Sequence, residues 1–249
     1  MEKGQLYLIP VDLVAGVTGD WIGTRLRTAV QALRFFVVEH PKSARQFLKA
    51  LEVPLPELTL EVLDKHSGNE DVQRFVRKLE TGIDVGLLSE AGCPAIADPG
   101  AVLVAEAHRI GARVIPLVGP SSIVLALMGS GLNGQHFAFN GYLPARSPER
   151  EHGIRELEER SRRLGQTEIF IEAPYRNDQL LAALLRTCDA DTILSLATDL
   201  TGATEQLGTR TVAQWKNAPP SLDRRPTVFL LLAKAKGSAN RGKRSRGTH

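Results

Sequence analysis

Four short apolar runs, Leu6 to Pro10, Phe35 to Glu39, Val85 to Ser89 and Arg113 to Val118, alternate with segments of helical period. That alternation constrains the fold more than any other feature. Strands buried on both faces read as near-continuous apolar runs, and a helix between two of them brings the chain back so that the strands lie parallel. The expected helices are Ile22 to Leu33, Ser43 to Leu51, Asn69 to Glu80 and Gly100 to Ile110, with a further strand at Leu60 to Asp64. The first half should be a parallel, doubly wound α/β sheet.

The pattern breaks at Val118-Gly119-Pro120-Ser121-Ser122, a tight turn into the apolar helix Ile123 to Met128. After Gly129 to Gly134 come a strand at His136 to Leu143 and a strongly charged helix from Pro148 to Leu164. Strand Glu168 to Ala173, helix Asn177 to Thr187, strand Thr192 to Ala197, a hairpin around Thr201 to Thr211 and a strand Thr227 to Ala233 complete it. Hairpins and longer strands imply a mixed sheet. The expected division is an N-terminal α/β domain over 1–118, a C-terminal α/β domain over 119–236 and a basic tail over 237–249.

A chain of 249 residues, 43% of them apolar, can bury a full core. Its net charge of +3 belongs to the end of the chain, where Lys234, Lys236, Arg241, Lys243, Arg244 and Arg246 stand without an acidic residue. Removing those six leaves a body of net charge −3. Such a tail cannot build a core; it either attracts an anionic partner such as RNA or acts as a solubilising terminus. No run is long and apolar enough to span a bilayer, so a cytoplasmic protein without membrane contact is expected. Cys93 and Cys188 are far apart and the six histidines show no ligand spacing, so reduced thiols and no metal are expected.

The loop Leu88 to Gly100 carries the clearest functional signal, because small residues follow a buried strand and lead directly into a helix. Ligands of open α/β sheets bind at the carboxyl ends of strands. Glu90 and Asp98 give this loop negative charge, which suits a cationic or hydroxyl-rich ligand. Cys93 is either a reactive thiol or a small loop-filling side chain.

In order, Ser89-Glu90-Ala91-Gly92-Cys93-Pro94, Asp98-Pro99-Gly100, Pro116-Leu117-Val118-Gly119-Pro120-Ser121, Gly141-Tyr142-Leu143-Pro144 and Phe170-Ile171-Glu172-Ala173-Pro174-Tyr175-Arg176 form a specific set. The set resembles the tetrapyrrole methylase superfamily, and within it the ribosomal RNA small-subunit methyltransferase I family, from Leu6 to about Lys234. The resemblance implies a homodimer of two α/β domains that binds S-adenosylmethionine in the cleft between them. It places Pro10, Glu90, Ala91, Gly92, Cys93, Pro94, Gly119, Pro120, Ser121 and Ser122 at the cofactor, with Ala197, Pro226 and Thr227 from the second domain. On the acceptor side it places Asp20, Arg45 and Arg176, the last to pair a phosphate. No metal is implied, since the methyl group is already activated on a sulfonium.

The acceptor implied is a ribose 2′-hydroxyl of small-subunit ribosomal RNA, whose proton must leave as oxygen attacks. Glu172 is the candidate base or orienter; the other reading makes Glu172 and Arg176 a structural ion pair at a strand end. Trp21, Tyr142 and Tyr175 are the loop aromatics available for stacking on RNA, with packing on the sheet as the alternative for Trp21. The charged segment Glu149 to Arg163 reads as a solvated helix face, or else as an RNA contact.

Several positions depart from the family pattern. The first loop is the longer Val11 to Thr18 before Gly19-Asp20, the family's Glu-Asp-Thr-Arg is Glu39-His40-Pro41-Lys42, and a lysine is replaced by Gly202. The carboxylate of the Ser-Asp-Ala-Gly loop survives as Glu90, and the usual Lys-Gly-Glu is Arg225-Pro226-Thr227. Acceptor contacts are more altered than cofactor contacts. Two other functions therefore stand beside RNA methylation: methylation of a small tetrapyrrole-like metabolite, and a non-catalytic RNA-binding or assembly factor that keeps the fold.

Overall fold

A computed structural model describes residues 2–14, 16, 19 and 21–235. Asp20 and the basic tail over 237–249 lie outside the described residues. The chain divides into two compact units, Met1–Ser121 and Ser122–His249.

The first unit holds β1 (Leu6–Ile9), α1 (Thr24–Ala32), β2 (Phe35–Val38), α2 (Pro41–Ala50), β3 (Thr59–Val62), α3 (Asn69–Glu80), β4 (Val85–Leu88), α4 (Ala101–Arg109) and β5 (Val114–Pro116). The strand order is β3-β2-β4-β1-β5 and every pairing is parallel. Side chains of a strand alternate between faces, so the apolar run of β2 serves two cores at once. Phe36 and Val38 join Leu26, Val30, Phe47 and Leu48 of α1 and α2. Phe35 and Val37 join Val72, Phe75, Leu79 and Leu103 of α3 and α4. Gly86 makes room in the first of these cores, since a Cβ there would lie 2.6 Å from the Phe36 ring.

Element ends depart slightly from the expected ranges. α2 begins at Pro41 rather than Ser43, because a proline in the first turn gives up an N–H that has no partner there anyway. β5 stops at Pro116 instead of running to Val118, and Val118 leaves the sheet 91% exposed.

The second unit holds α5 (Ser122–Ser130), β6 (Phe137–Tyr142), α6 (Glu149–Leu164), β7 (Thr167–Ile171), α7 (Asn177–Thr187), β8 (Ile193–Thr198), β9 (Gln206–Thr211), α8 (Val212–Asn217) and β10 (Thr227–Leu232). The order is β6-β7-β10-β8-β9, with only β6 and β7 parallel, so this is the mixed sheet expected. Phe170 and Phe229 stack at 5.8 Å in its main core, together with Leu194 and Leu196 of β8 and Leu180 and Leu184 of α7. On the opposite face Thr209 donates to the Ser130 carbonyl, 2.8 Å, and so ties β9 to the end of α5.

The hairpin expected around Thr201 to Thr211 is formed by β8 and β9, and residues 199–205 are its connection rather than strand. Asp199 organises that turn by accepting from the Thr204 backbone N–H, 3.1 Å, and hydroxyl, 2.5 Å. α8 was not expected; it is short, and Thr211 and Gln214 cap it reciprocally. The charged helix presents the solvated face expected, through Arg155, Glu156, Glu159 and Arg163, but part of its charge turns inward. α6 buries Glu158, which accepts from the Asp189 N–H, 2.8 Å, and from the Thr192 hydroxyl. Arg160 pairs with Glu168, a carboxylate fully buried on β7.

Candidate active site

In the first unit all five strands point the same way, so the loops after β1, β4 and β5 gather at one edge of the sheet. There they knit into a single surface. Val11 N donates to Gly92 O, 2.9 Å, in an isolated bridge, and Gly92 takes φ +73°, a left-handed conformation that glycine tolerates best. The buried Ser89 hydroxyl donates to Gly92 O, 3.2 Å, and the Cys93 thiol donates to Pro120 O, 3.3 Å. Gly119 fits so tightly that a Cβ would lie 2.3 Å from the Pro10 Cβ. Pro10, Gly92, Cys93, Pro94, Gly119 and Pro120 are therefore brought together, with Glu90, Ala91 and Val118 left exposed around them.

The same edge is acidic. Glu39 at the end of β2 accepts from the Glu90 N–H, 3.2 Å. Burial chiefly raises the Glu39 pKa, and the nearby charges of Asp98, Glu90 and Asp64 raise it further. Asp98 is also raised by burial, although the N–H groups of Gly100, 2.7 Å, and Ala95, 2.9 Å, oppose the shift. Asp98 thus shapes the loop by binding the N–H groups of Ala95, at φ +65°, and Gly100 on either side of Ala97, at φ +61°. Arg45 is exposed on α2. Trp21 packs rather than presenting a free face: it stacks on Phe47 at 6.3 Å and its indole N–H donates to Asp12, 2.8 Å.

In the second unit one sheet edge collects the carboxyl ends of β6, β7 and β8 and the start of β10. Ala197 pairs with Val228, Thr198 pairs with Thr227, and the two threonine hydroxyls are 3.2 Å apart. Ala197 and Thr227 are buried, so of the three expected cofactor residues here only Pro226 offers an exposed side chain. Ser122 opens α5 in this unit.

Glu172 and Arg176 stand at the same edge. The Glu172 side chain is 1% exposed, and its Oε1 accepts from Arg176 Nη2, 2.6 Å, and from the Ala173 N–H, 2.6 Å. That carboxylate bond raises the Arg176 pKa further. Oε1 is thus engaged twice and Oε2 is buried, an arrangement that an orienting carboxylate and a structural ion pair share. Sequence reasoning missed Asn177 and Asp178, which hold the loop before β10 through Arg225 O, 2.7 Å, and Leu222 N, 2.9 Å. Their signal is an Asn-Asp pair opening a helix, which usually means capping and here fastens a distant loop.

Among the described residues no cluster of three or more His, Cys, Asp or Glu side chains could hold a metal. Among the same residues no helix is long and apolar enough to cross a membrane.

The model of the Tetrapyrrole (Corrin/Porphyrin) Methylases matches residues 19–215. Ribosomal RNA small subunit methyltransferase I of Vibrio cholerae is 32% identical over 81% of this chain and 67% of its own length. The protein of the same name from Pseudomonas aeruginosa is 30% identical over 93% of this chain and 79% of its own. The crystal structure of the methyltransferase CobJ shares the fold, with a TM-score of 0.63 and 16% identity over 92% of this chain and 94% of that one.

The first unit's edge fits the cofactor such a family implies. A sulfonium is a cation, and the acidic edge around Glu39 and Glu90 complements it. Gly119, lacking a side chain, lets the loop after β5 close directly onto Pro10 and so holds the loops of this edge together. By the extent of these matches and the fit of this edge, the chain belongs to the tetrapyrrole (corrin/porphyrin) methylase family, in the company of the small-subunit ribosomal RNA methyltransferases I, and is an S-adenosylmethionine-dependent methyltransferase.

Proposed function

We propose that this chain methylates a ribose 2′-hydroxyl of small-subunit ribosomal RNA, acting in the cytoplasm as a homodimer. The observation that carries the reading is similarity to proteins named for that RNA, sustained over 93% of the chain and thus through both units. A second support is chemical. The exposed tyrosines and the arginine at the β6–β7 edge are groups that recognise RNA.

When bound, S-adenosylmethionine would supply a methyl group on a positively charged sulfur, for transfer to the acceptor oxygen with the S–C electrons returning to sulfur. The hydroxyl proton passes to solvent or to a base. In this reading Pro10, Glu90 to Pro94, Gly119 to Ser122, Ala197, Pro226 and Thr227 hold the cofactor, Arg45 and Arg176 hold the RNA, and Glu172 orients Arg176. The chain's main contribution is then alignment, because holding two reactants in near-attack geometry can account for about 7 to 11 kcal/mol of barrier.

The test is incubation of small ribosomal subunits from cells lacking this gene with methyl-labelled S-adenosylmethionine, followed by digestion and mass analysis of the nucleosides. One 2′-O-methylated nucleoside is expected. Binding of S-adenosylhomocysteine by calorimetry without label in RNA would overturn the acceptor assignment and favour a small-molecule acceptor or a non-catalytic role.

A further inference from the structure

The carboxyl ends of β6 and β7 lie side by side, since the strands are parallel and Tyr142 pairs with Ile171. Between Phe139 and Tyr142 the register slips, and Gly141 takes φ +63° within the slip. A bulge of this kind re-aims the side chain beside it. Tyr142 emerges 59% exposed at the end of β6, and Tyr175 is 64% exposed just beyond β7. The bond to Glu172 chiefly raises the Arg176 pKa, and Tyr175 and Tyr142 stand near enough to add to the shift. The Arg176 guanidinium lies 5.0 Å from the Tyr175 ring centroid and donates to its hydroxyl, 3.0 Å.

Below this surface the polar groups are not fully used. Glu172 Oε2, Arg176 Nε and Asn177 Oδ1 are buried without a hydrogen-bond partner, all within six residues of chain. Buried polar atoms without partners lower stability, so three in one turn are a poor stability device. The position of the arginine is fixed by the other carboxylate oxygen, Glu172 Oε1, which holds Nη2 at 2.6 Å and leaves the side chain 28% exposed.

We propose that Tyr142, Tyr175 and Arg176 form a stacking platform for an unpaired RNA nucleotide, whose base lies on a tyrosine ring while Arg176, held by Glu172, takes the adjoining phosphate. The proposal rests on the RNA reading above and deepens it. Duplex RNA hides its base faces, whereas loops and single strands offer them to aromatic side chains and arginine planes. Two exposed tyrosines flanking one fixed cation match that ligand; an acidic peptide would need the cation and not the rings.

The experiment measures binding of the full chain to a labelled single-stranded RNA dodecamer of mixed sequence, with the same sequence as a duplex and heparin as comparisons. Tyr142→Ala and Tyr175→Ala alter exposed side chains and should fold. Each is expected to weaken single-strand binding about 5-fold to about 150-fold, with heparin affinity and the salt dependence unchanged. Arg176→Lys should keep the salt slope and lose single-strand affinity, and Arg176→Ala should reduce the slope by about 0.7. Wild-type protein that fails to bind the single strand, tyrosine variants that bind like wild type, or equal losses for single strand, duplex and heparin would each overturn the platform. Tyrosine-dependent binding without methylation of the subunit would sink the acceptor assignment and leave the platform standing. Methylation with tyrosine-independent binding would do the reverse.

Discussion

Gly119 and Pro10 touch so closely that a Cβ on Gly119 would lie 2.3 Å from the Cβ of the proline ring. The contact joins the loop after β5 to the end of β1, with the Trp21 ring as a third wall at 3.0 Å. A pyrrolidine ring cannot swing aside as a flexible side chain would.

Gly119→Ala should therefore move backbone rather than a side chain. Overpacking of this kind costs about 1 to 3 kcal/mol. The expected outcome is a lower urea midpoint together with at least tenfold weaker S-adenosylhomocysteine binding by calorimetry. Loss of stability with binding intact would remove this loop from the cofactor site.

Glu39 predicts a pH signature. Its folded pKa is raised above the ordinary 4.5, chiefly by burial, so between the two values the folded state binds more protons than the unfolded chain. Its contribution to stability is then full below about 4.5 and is lost as pH rises through the folded value. Urea unfolding of wild type and Glu39→Gln from pH 4 to 8 should show a difference between them that changes with that sign. A difference independent of pH would contradict it.

The charged helix α6 gives a contrast between two glutamates two positions apart. Glu158 is 5% exposed and bonded to Asp189 N and Thr192, whereas the Glu156 side chain is 67% exposed beside His152. Glu158→Ala strands the Asp189 N–H and the Thr192 hydroxyl, at a cost of about 1 to 3 kcal/mol for each, while Arg162 keeps Glu159 and Asp189. Glu156→Ala should stay within about 0.5 kcal/mol. Thermal unfolding of the two variants decides it.

The same contrast shows what the residues alone can disclose. Buried parallel strands announce themselves, because β2 and β4 must be apolar at every position to face two cores, and the first sheet was legible for that reason. Local capping is legible too: Thr211-Val212-Ala213-Gln214 carries the signal for α8, though six residues leave no room for helical periodicity to appear. Burial of Glu158 was not legible, since its partners at Asp189 and Thr192 lie more than thirty residues on. Among candidate site residues, the place of the Glu90 to Pro94 loop at the end of β4 could be read from small residues after an apolar run. The Asn177–Arg225 bond could not, as nothing local marks the far carbonyl that a buried asparagine will find.

Cys93 offers a footprint of the loop proposed to hold the cofactor, one that needs no catalysis. Its thiol donates to Pro120 O, 3.3 Å, and burial pushes its pKa up, so little thiolate forms near neutral pH. Cys188 is buried, with its pKa pushed up more strongly by the same cause, and is the internal control. At pH 8 a thiol reagent should modify Cys93 slowly and Cys188 only on unfolding. If the loop from Glu90 to Pro94 holds the cofactor, saturating S-adenosylhomocysteine should slow Cys93 modification at least tenfold and leave the Cys188 signal on unfolding untouched. An unchanged Cys93 rate at full occupancy, verified by calorimetry in the same sample, would place the bound molecule elsewhere on this edge.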